Sequence, residues 1–232
     1  MPIRAITLDL DDTLWQVRPA LERADQAVDA YLRAHWPEVA RAWPIPAMRE
    51  LRAQVSRDRP DLAHDFTAQR RIAQRRAFES CGVADAPLDA VWEVYFAARN
   101  GVEPWPDSLP ALVRLAARWP LASLTNGNAD PARTGIAAHF SVHIASRDVG
   151  VAKPDPRIFH AAATRFGVAA QDVLHVGDDP ALDVLGARRA GLRSAWINRH
   201  GDAWPAELGA APELTFTHLG ALADWLESHS AA

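Results

Sequence analysis

The sequence predicts an α/β protein: a parallel sheet with helices on both faces, interrupted after its first strand by a helical insert. Three observations carry this. A short β-branched run, IRAITLDL (residues 3–10), stands near the start. Residues from about 15 to 100 then show helical periodicity and no strand-like run. Beyond residue 103, strand-like and helical segments alternate, which implies right-handed crossovers between parallel strands.

Taken in order, IRAITLDL reads as a buried strand because it is short, apolar and bounded by polar residues. In the insert, residues 19–35 place Leu21, Ala24, Val28 and Leu32 at helical spacing. IPAMRELRAQVSR (45–57), DLAHDFTAQRRIAQRRAFESCG (61–82, stopped by Gly82) and APLDAVWEVYFAARNG (86–101) give three more helices. The alternating part follows. A helix over 107–118 leads to a strand over 120–125, and a short helix near 131–138 leads to SVHIAS (141–146). A helix over 155–166, with Asp155 as N-cap and Pro156 at its first position, leads to DVLHVG (172–177). A helix over 180–190 leads to RSAWIN (193–198), then LTF (214–216) and a last helix over 219–229. The expected organisation is a core of residues 1–14 and 103–232 with an insert of residues 15–102.

Composition narrows the function classes. Of 232 residues, 49% are hydrophobic and 23% charged, enough for a sizeable core. The net charge of -4 argues against nucleic-acid binding, which favours a basic domain. Cys81 is the one cysteine and cannot form an internal disulfide; it reads as a small apolar packing residue. No apolar run is long enough to span a bilayer. The start, MPIRAITLDLDD, turns acidic too early for a secretory signal, so a cytoplasmic protein is expected. Nothing in the sequence chooses between monomer and homodimer.

In an open parallel sheet, ligands bind beyond the carboxyl ends of the strands. The polar residues gather there: Asp9, Asp11, Asp12 and Thr13 after the first strand, Thr125-Asn126-Gly127 after the second. Lys153 follows the third, and Asp178, Asp179 and Asp183 the fourth. Singly, each has a structural explanation as a turn, a helix cap or an exposed helix residue. Together, several converging carboxylates would repel and lose solvation unless a cation joined them. Hard oxygen ligands in this number suit Mg²⁺, which also binds phosphate oxygens. One carboxylate held ionised can act as nucleophile. Another, two residues on along an extended chain, faces the same side and can work as acid and base. Thr125 and Asn126 offer hydrogen-bond donors. Lys153 is the protein's single lysine among 25 basic side chains, a compact positive charge where a guanidinium would be wider.

The motifs DLDDT (9–13), LTN (124–126), KPD (153–155) and GDDPALD (177–183), in this order, resemble those of the haloacid-dehalogenase-like phosphatase superfamily. The resemblance implies a Rossmann-like core and identifies the insert as a helical cap. It implies that Asp9 is the nucleophile and Asp11 the acid/base, and that Thr125, Asn126 and Lys153 bind phosphate. Mg²⁺ would be held by Asp9, the backbone carbonyl of Asp11 and Asp178, with Asp183 as the second acid of the last motif and Asp179 as a further candidate. Asp12 stands where many relatives have glycine. TNGN (125–128), LHVGDD (174–179) and HDFT (64–67) are more narrowly similar to bacterial flavin-pathway phosphatases, which act on flavin mononucleotide and a ribitylaminouracil phosphate. The expected partner is therefore a small-molecule phosphate ester, with no nucleic acid and no membrane.

Alternatives within the same fold are a phosphomutase, which shares the core residues, and a sugar or glycolate phosphatase. A dehalogenase attacks carbon and needs no acid two residues after its nucleophile. A binding module that had lost catalysis would lack Asp9 or Asp11, and both are present. No GxSxG occurs to support a serine hydrolase. In the insert, the run QRRIAQRR (69–76) reads as a solvated helix face or, alternatively, as a positive surface that draws in anions. His64, Asp65 and Arg70 are candidates for substrate contact, and so is Trp15, which could stack on a ring.

Overall fold

In the computed structural model, which describes residues 2–229, the first strand is β1 (Ala5–Leu8). All four of its residues are buried, because strands pair on both its edges and helices cover both its faces. The helices that follow are α1 (Val17–His35), α2 (Pro37–Ala42), α3 (Ile45–Asp58), α4 (Phe66–Ser80) and α5 (Leu88–Arg99). Then come α6 (Ser108–Ala116), β2 (Leu121–Thr125), β3 (Val142–Ala145), α7 (Ser146–Val149) and α8 (Pro156–Phe166). β4 (Val173–Gly177), α9 (Gly186–Arg189), β5 (Arg193–Ile197), β6 (Leu214–Phe216) and α10 (Leu219–His229) complete the fold. The six strands form one parallel sheet in the order β3-β2-β1-β4-β5-β6. β1 is central: Ile6 lies opposite Leu121 of β2 on one side and Leu174 of β4 on the other.

The chain divides into two compact units. Val17–Val102 form one, and the chain on either side of them forms the other. The sequence placed the first boundary at residue 15. Trp15 stays with the sheet unit, where its backbone bridges to Asp11 and to Pro104.

α8 shows how local sequence becomes structure. Asp155 caps it by accepting from Arg157 N at 2.9 Å, Pro156 occupies its first turn, and Gly167 ends it in the left-handed region (φ 67°). Ile158, Phe159, Ala162 and Ala163 face inward against Leu124, Ile144 and Val173 of the sheet. Each large side chain buried this way contributes about 1.5–3 kcal/mol. In the helical unit, α1 buries Ala20, Ala24, Val28 and Leu32. The stripe thus begins at Ala20, and Leu21 is only partly covered. α1, α3, α4 and α5 enclose a core that includes Val55, Phe78 and Tyr95.

Three of the expected helices differ in the structure, and the short helices α2 and α7 were not expected. The helix expected over 61–82 begins only at Phe66, because Asp65 caps it through Ala68 N (2.8 Å) and a 3₁₀ turn (Pro60–Leu62) precedes it. The helix expected near 131–138 is a set of turns ending in a 3₁₀ turn (Ala137–His139), since Gly135 takes a positive φ of 81°. The helix expected over 180–190 is two pieces. Pro180–Leu185 form a wide π-helical turn, with Val184 N donating to Asp179 O at 3.2 Å, and α9 follows. No helix among the described residues is long and apolar enough to cross a membrane.

Asp12 has φ +60°, in the left-handed region that disfavours side chains but is tolerated by Asp. This explains why glycine is an alternative at that position. Asp12→Val should be less stable than Asp12→Gly by about 1 kcal/mol, the left-handed penalty less the greater unfolded-state freedom of glycine. Urea denaturation of the two variants measures this, and equal midpoints would refute it.

Candidate active site

The carboxyl ends of β1, β2 and β4 lie side by side, and each delivers a polar group. Asp9 directly follows β1, and its backbone N–H donates to Val176 O of β4 (2.8 Å). The carboxylates of Asp9, Asp178 and Asp183 each offer an oxygen within 4.8 Å of the others. Lys153 Nζ donates to Asp9 Oδ1 and, at 2.7 Å, to Asp183 Oδ1. The lysine is 5% exposed, so the pair is almost sealed from water.

The crowding shows in the acidities. Burial raises the Asp9 carboxyl well above its usual range; Lys153 opposes this, and Asp183 and Asp178 add to it. Burial, then Asp183, pushes Asp178 up to about 7. Asp183 goes the other way: burial disfavours its charge, but Lys153 and then His175 outweigh it and hold the carboxyl far down. Burial also works against the Lys153 charge, and Asp183 and Asp9 overcome it and raise its pKa. One cation thus serves three carboxylates. The surplus negative charge, supplied by oxygen donors alone, fits a hard divalent cation held by Asp9, Asp178 and Asp183.

The remaining residues singled out in the sequence divide by what they touch. Asp11 Oδ1 accepts from Trp15 Nε1 at 2.9 Å, and Trp15 is fully buried. The indole therefore fixes a carboxylate. Thr125 Oγ1 accepts from Gly127 N (2.9 Å), which closes the turn after β2. Asn126 grips the lysine loop both ways: its Oδ1 accepts from Lys153 N (2.7 Å) and its Nδ2 donates to Lys153 O (3.0 Å). Asp179 Oδ1 caps the turn at Pro180–Leu185 by accepting from Ala181 and Leu182 N–H groups, both at 2.8 Å.

In the helical unit, Asp65 caps α4, and His64 stands in the turn before it. Arg70 turns inward: it pairs with the buried Asp25 (3.3 Å) and lies over the Tyr95 ring at 3.5 Å. Arg49 and Arg52 reach the same Asp25. From the same basic run, Arg71 and Arg76 pair with Asp89 and Asp58.

Four further residues were not assigned a role from the sequence. Thr13 Oγ1 donates to Asp178 Oδ1 (2.9 Å) and more weakly to Asp9 Oδ2 (3.4 Å). Trp196 Nε1 donates to the backbone oxygen of Asp178 (2.7 Å). Arg199 holds Thr13 O through Nη2 (2.8 Å) and Nε (3.2 Å), while pairing with Asp107. His175, inside β4, is within 3.0 Å of Asp183. Thr13 carried a signal as the end of the acidic motif after the first strand, and His175 as a lone polar residue in an apolar strand. Trp196 and Arg199 depend on which distant loops meet.

A parallel six-stranded sheet with a carboxylate–lysine cluster at its carboxyl edge defines an α/β protein whose acidic cluster fits a bound cation. The haloacid dehalogenase-like hydrolase model matches residues 3–191, and the chain belongs to that family. It is 31% identical to the 5-amino-6-(5-phospho-D-ribitylamino)uracil phosphatase YigB of Escherichia coli, over 95% of this chain and 94% of that protein. It is 38% identical to a phosphoserine phosphatase of Thermus thermophilus, over 60% of this chain and 58% of that one. Among solved structures it is similar to a 2-haloacid dehalogenase from Pseudomonas syringae pv. Tomato, with a TM-score of 0.91 and 34% identity, over 99% of this chain and all of that one.

The raised pKa of Asp178 has a stability consequence. Its folded pKa of about 7 exceeds the usual 3.8, so between these values the folded state binds more protons, and stability falls as pH rises. Asp178→Asn removes that slope. In chelator, the stability of this variant relative to the parent should increase from pH 5 to pH 7.5, as read by thermal unfolding. A difference independent of pH would refute the shift.

Proposed function

We propose that this hydrolase is a Mg²⁺-dependent phosphatase that cleaves a small-molecule phosphate monoester through an aspartyl-phosphate on Asp9. The observation that carries the reading is Asp11, a carboxyl two residues past the nucleophile that Trp15 holds in place. Attack on carbon has no use for it, whereas phosphoryl transfer needs a proton donor for the leaving alkoxide. The similarity to two phosphatases supports the same reading.

In this mechanism, Lys153 and Thr125 receive the phosphoryl oxygens. The Asp9 carboxylate forms a bond to phosphorus as the ester P–O bond breaks. Asp11 gives its proton to the departing oxygen. Now a carboxylate, Asp11 takes a proton from water, whose oxygen attacks the same phosphorus and frees Asp9 and inorganic phosphate. When bound at Asp9, Asp178 and Asp183, with the backbone carbonyl of Asp11, the cation supplies charge neutralisation for the phosphate oxygens. The ammonium of Lys153 opposes the burial that raises the Asp9 pKa, and so favours the ionised carboxylate beside an anionic substrate. Asn126 contributes by fixing the lysine loop.

The helical unit, Val17–Val102, is proposed as the cap that selects the substrate, and a riboflavin-pathway phosphate or flavin mononucleotide is the proposed class. The name of the Escherichia coli relative supports this. A cytoplasmic site of action accords with such a substrate. The similarity to a haloacid dehalogenase structure favours a second reading, halide displacement, which the same assay addresses.

A panel of flavin, sugar, nucleotide and glycolate phosphates should release phosphate only with Mg²⁺ or a similar cation. Asp9→Asn should abolish this while the fold persists by circular dichroism. Undiminished hydrolysis after exhaustive chelation would overturn the metal assignment, and halide release from 2-haloacids without phosphate release would establish the second reading. Lys153→Arg keeps the charge but widens the group, and its kcat should fall by about 10–100-fold, as for other disturbed polar shells. Parent-like turnover in that variant would remove Lys153 from the mechanism.

A further inference from the structure

Between Thr7 and Asp183 lies an imidazole that the proposed mechanism does not use. His175 is completely buried in β4. Its Nδ1 is 2.8 Å from Thr7 Oγ1, on the neighbouring β1, and its Nε2 is 3.0 Å from Asp183 Oδ1. The Phe159 ring meets it edge-on, with centroids 5.0 Å apart at 83°. We propose that His175 is a positioning residue: it locks the Asp183 carboxylate into the orientation that divides Lys153 between Asp183 and the nucleophile Asp9. This deepens the phosphatase reading and rests on it.

The donor and acceptor inventory fixes the ring. An ionised carboxylate only accepts, so His175 Nε2 carries the hydrogen that reaches Asp183. A fully buried ring next to Lys153 has no call for a second positive charge, so Nδ1 is bare and accepts from the Thr7 hydroxyl. Thr7 thus sets the tautomer, and the tautomer sets the bond to Asp183. The carboxylate is held from several directions. Oδ1 accepts from His175 and Lys153, and Oδ2 accepts from Asp179 N at 3.0 Å. Its face lies against Gly177, where any Cβ would collide with the carboxylate carbon and oxygen. Without His175, Oδ1 keeps only Lys153. The carboxylate can then turn, and the ammonium moves with it relative to Asp9.

Two amides separate positioning from mere packing. Gln at 175 reaches the Nε2 position and can still donate to Asp183. Asn is shorter, reaches only the Nδ1 position, and leaves Asp183 without that donor. Lys153 is the single lysine, so protein grown on lysine labelled at 13Cε and 15Nζ has one labelled side chain, a reporter that needs no turnover. His175→Gln should keep the parent's lysine resonance, and His175→Asn should displace or broaden it. With p-nitrophenyl phosphate and Mg²⁺, kcat should fall by about 10–100-fold in His175→Asn, with KM little changed, and recover in His175→Gln. Thermal unfolding scores the folded fraction of each.

If the folded Asn and Gln variants leave the lysine resonance equally intact, or disturb it equally, the proposal is overturned. Should His175→Asn not fold, the folded Gln variant decides alone: a parent-like resonance supports the proposal and a displaced one overturns it. If the parent hydrolyses no phosphate ester, the phosphatase reading fails by itself, and the lysine resonance still decides the positioning role.

Discussion

Lys153 Nζ lies between Asp9 and Asp183, so one buried positive charge is divided between two carboxylates while a third, Asp178, stands beside them. Much of the surrounding structure follows from this shortage of positive charge. Asp183 is ionised because lysine and histidine both face it, whereas Asp9 and Asp178 are pushed toward their neutral forms. Removing one partner from a buried pair of this kind leaves an uncompensated charge and typically costs about 3–5 kcal/mol. A site built so tightly is poised for added positive charge, and an arginine fork has little room among these oxygens.

Holding such a cluster in place requires rigid neighbours. Asn126 clamps the lysine loop through two backbone bonds, and Asp179 caps the turn that presents Asp183. Arg199 anchors the carbonyl of Thr13, whose hydroxyl in turn steadies Asp178. Asp107 ties this to α10 by accepting from Leu219 N (2.8 Å) while pairing with Arg199. Residues far apart in sequence thereby meet at one sheet edge. This is the benefit of a parallel sheet: its strand ends all face one way, and each loop adds a group.

The legible parts of this design were local. Strand β1, the Asp155-Pro156 start of α8 and the Gly167 stop could be read because short-range preferences agree with the fold there. The acidic strand ends were legible because polar residues directly follow apolar runs. The turns around Gly135 and the wide turn at Pro180–Leu185 were not legible, since glycine conformation and backbone pairing decide them after the chain has packed. Trp15 invited a stacking reading, because an indole next to a motif looks available; only the structure shows its N–H bound to Asp11. His175 and Arg199 act through partners 168 and 186 residues away, and no local pattern encodes such pairings.

The position of β1 in the sheet bears on how the protein comes off the ribosome. This strand emerges first, yet both its neighbours, β2 and β4, come after the whole of Val17–Val102. At about 5–20 residues per second, residues 9–125 need roughly 6–23 s and residues 9–177 roughly 8–34 s, so the strand leading to Asp9 lacks both edge partners until β2 is made and one of them until β4 follows. The helical unit is continuous in sequence and can close its own core in the meantime. During synthesis, then, the segment with Asp9 is the part left waiting, and it is there that a nascent-chain chaperone has most to protect.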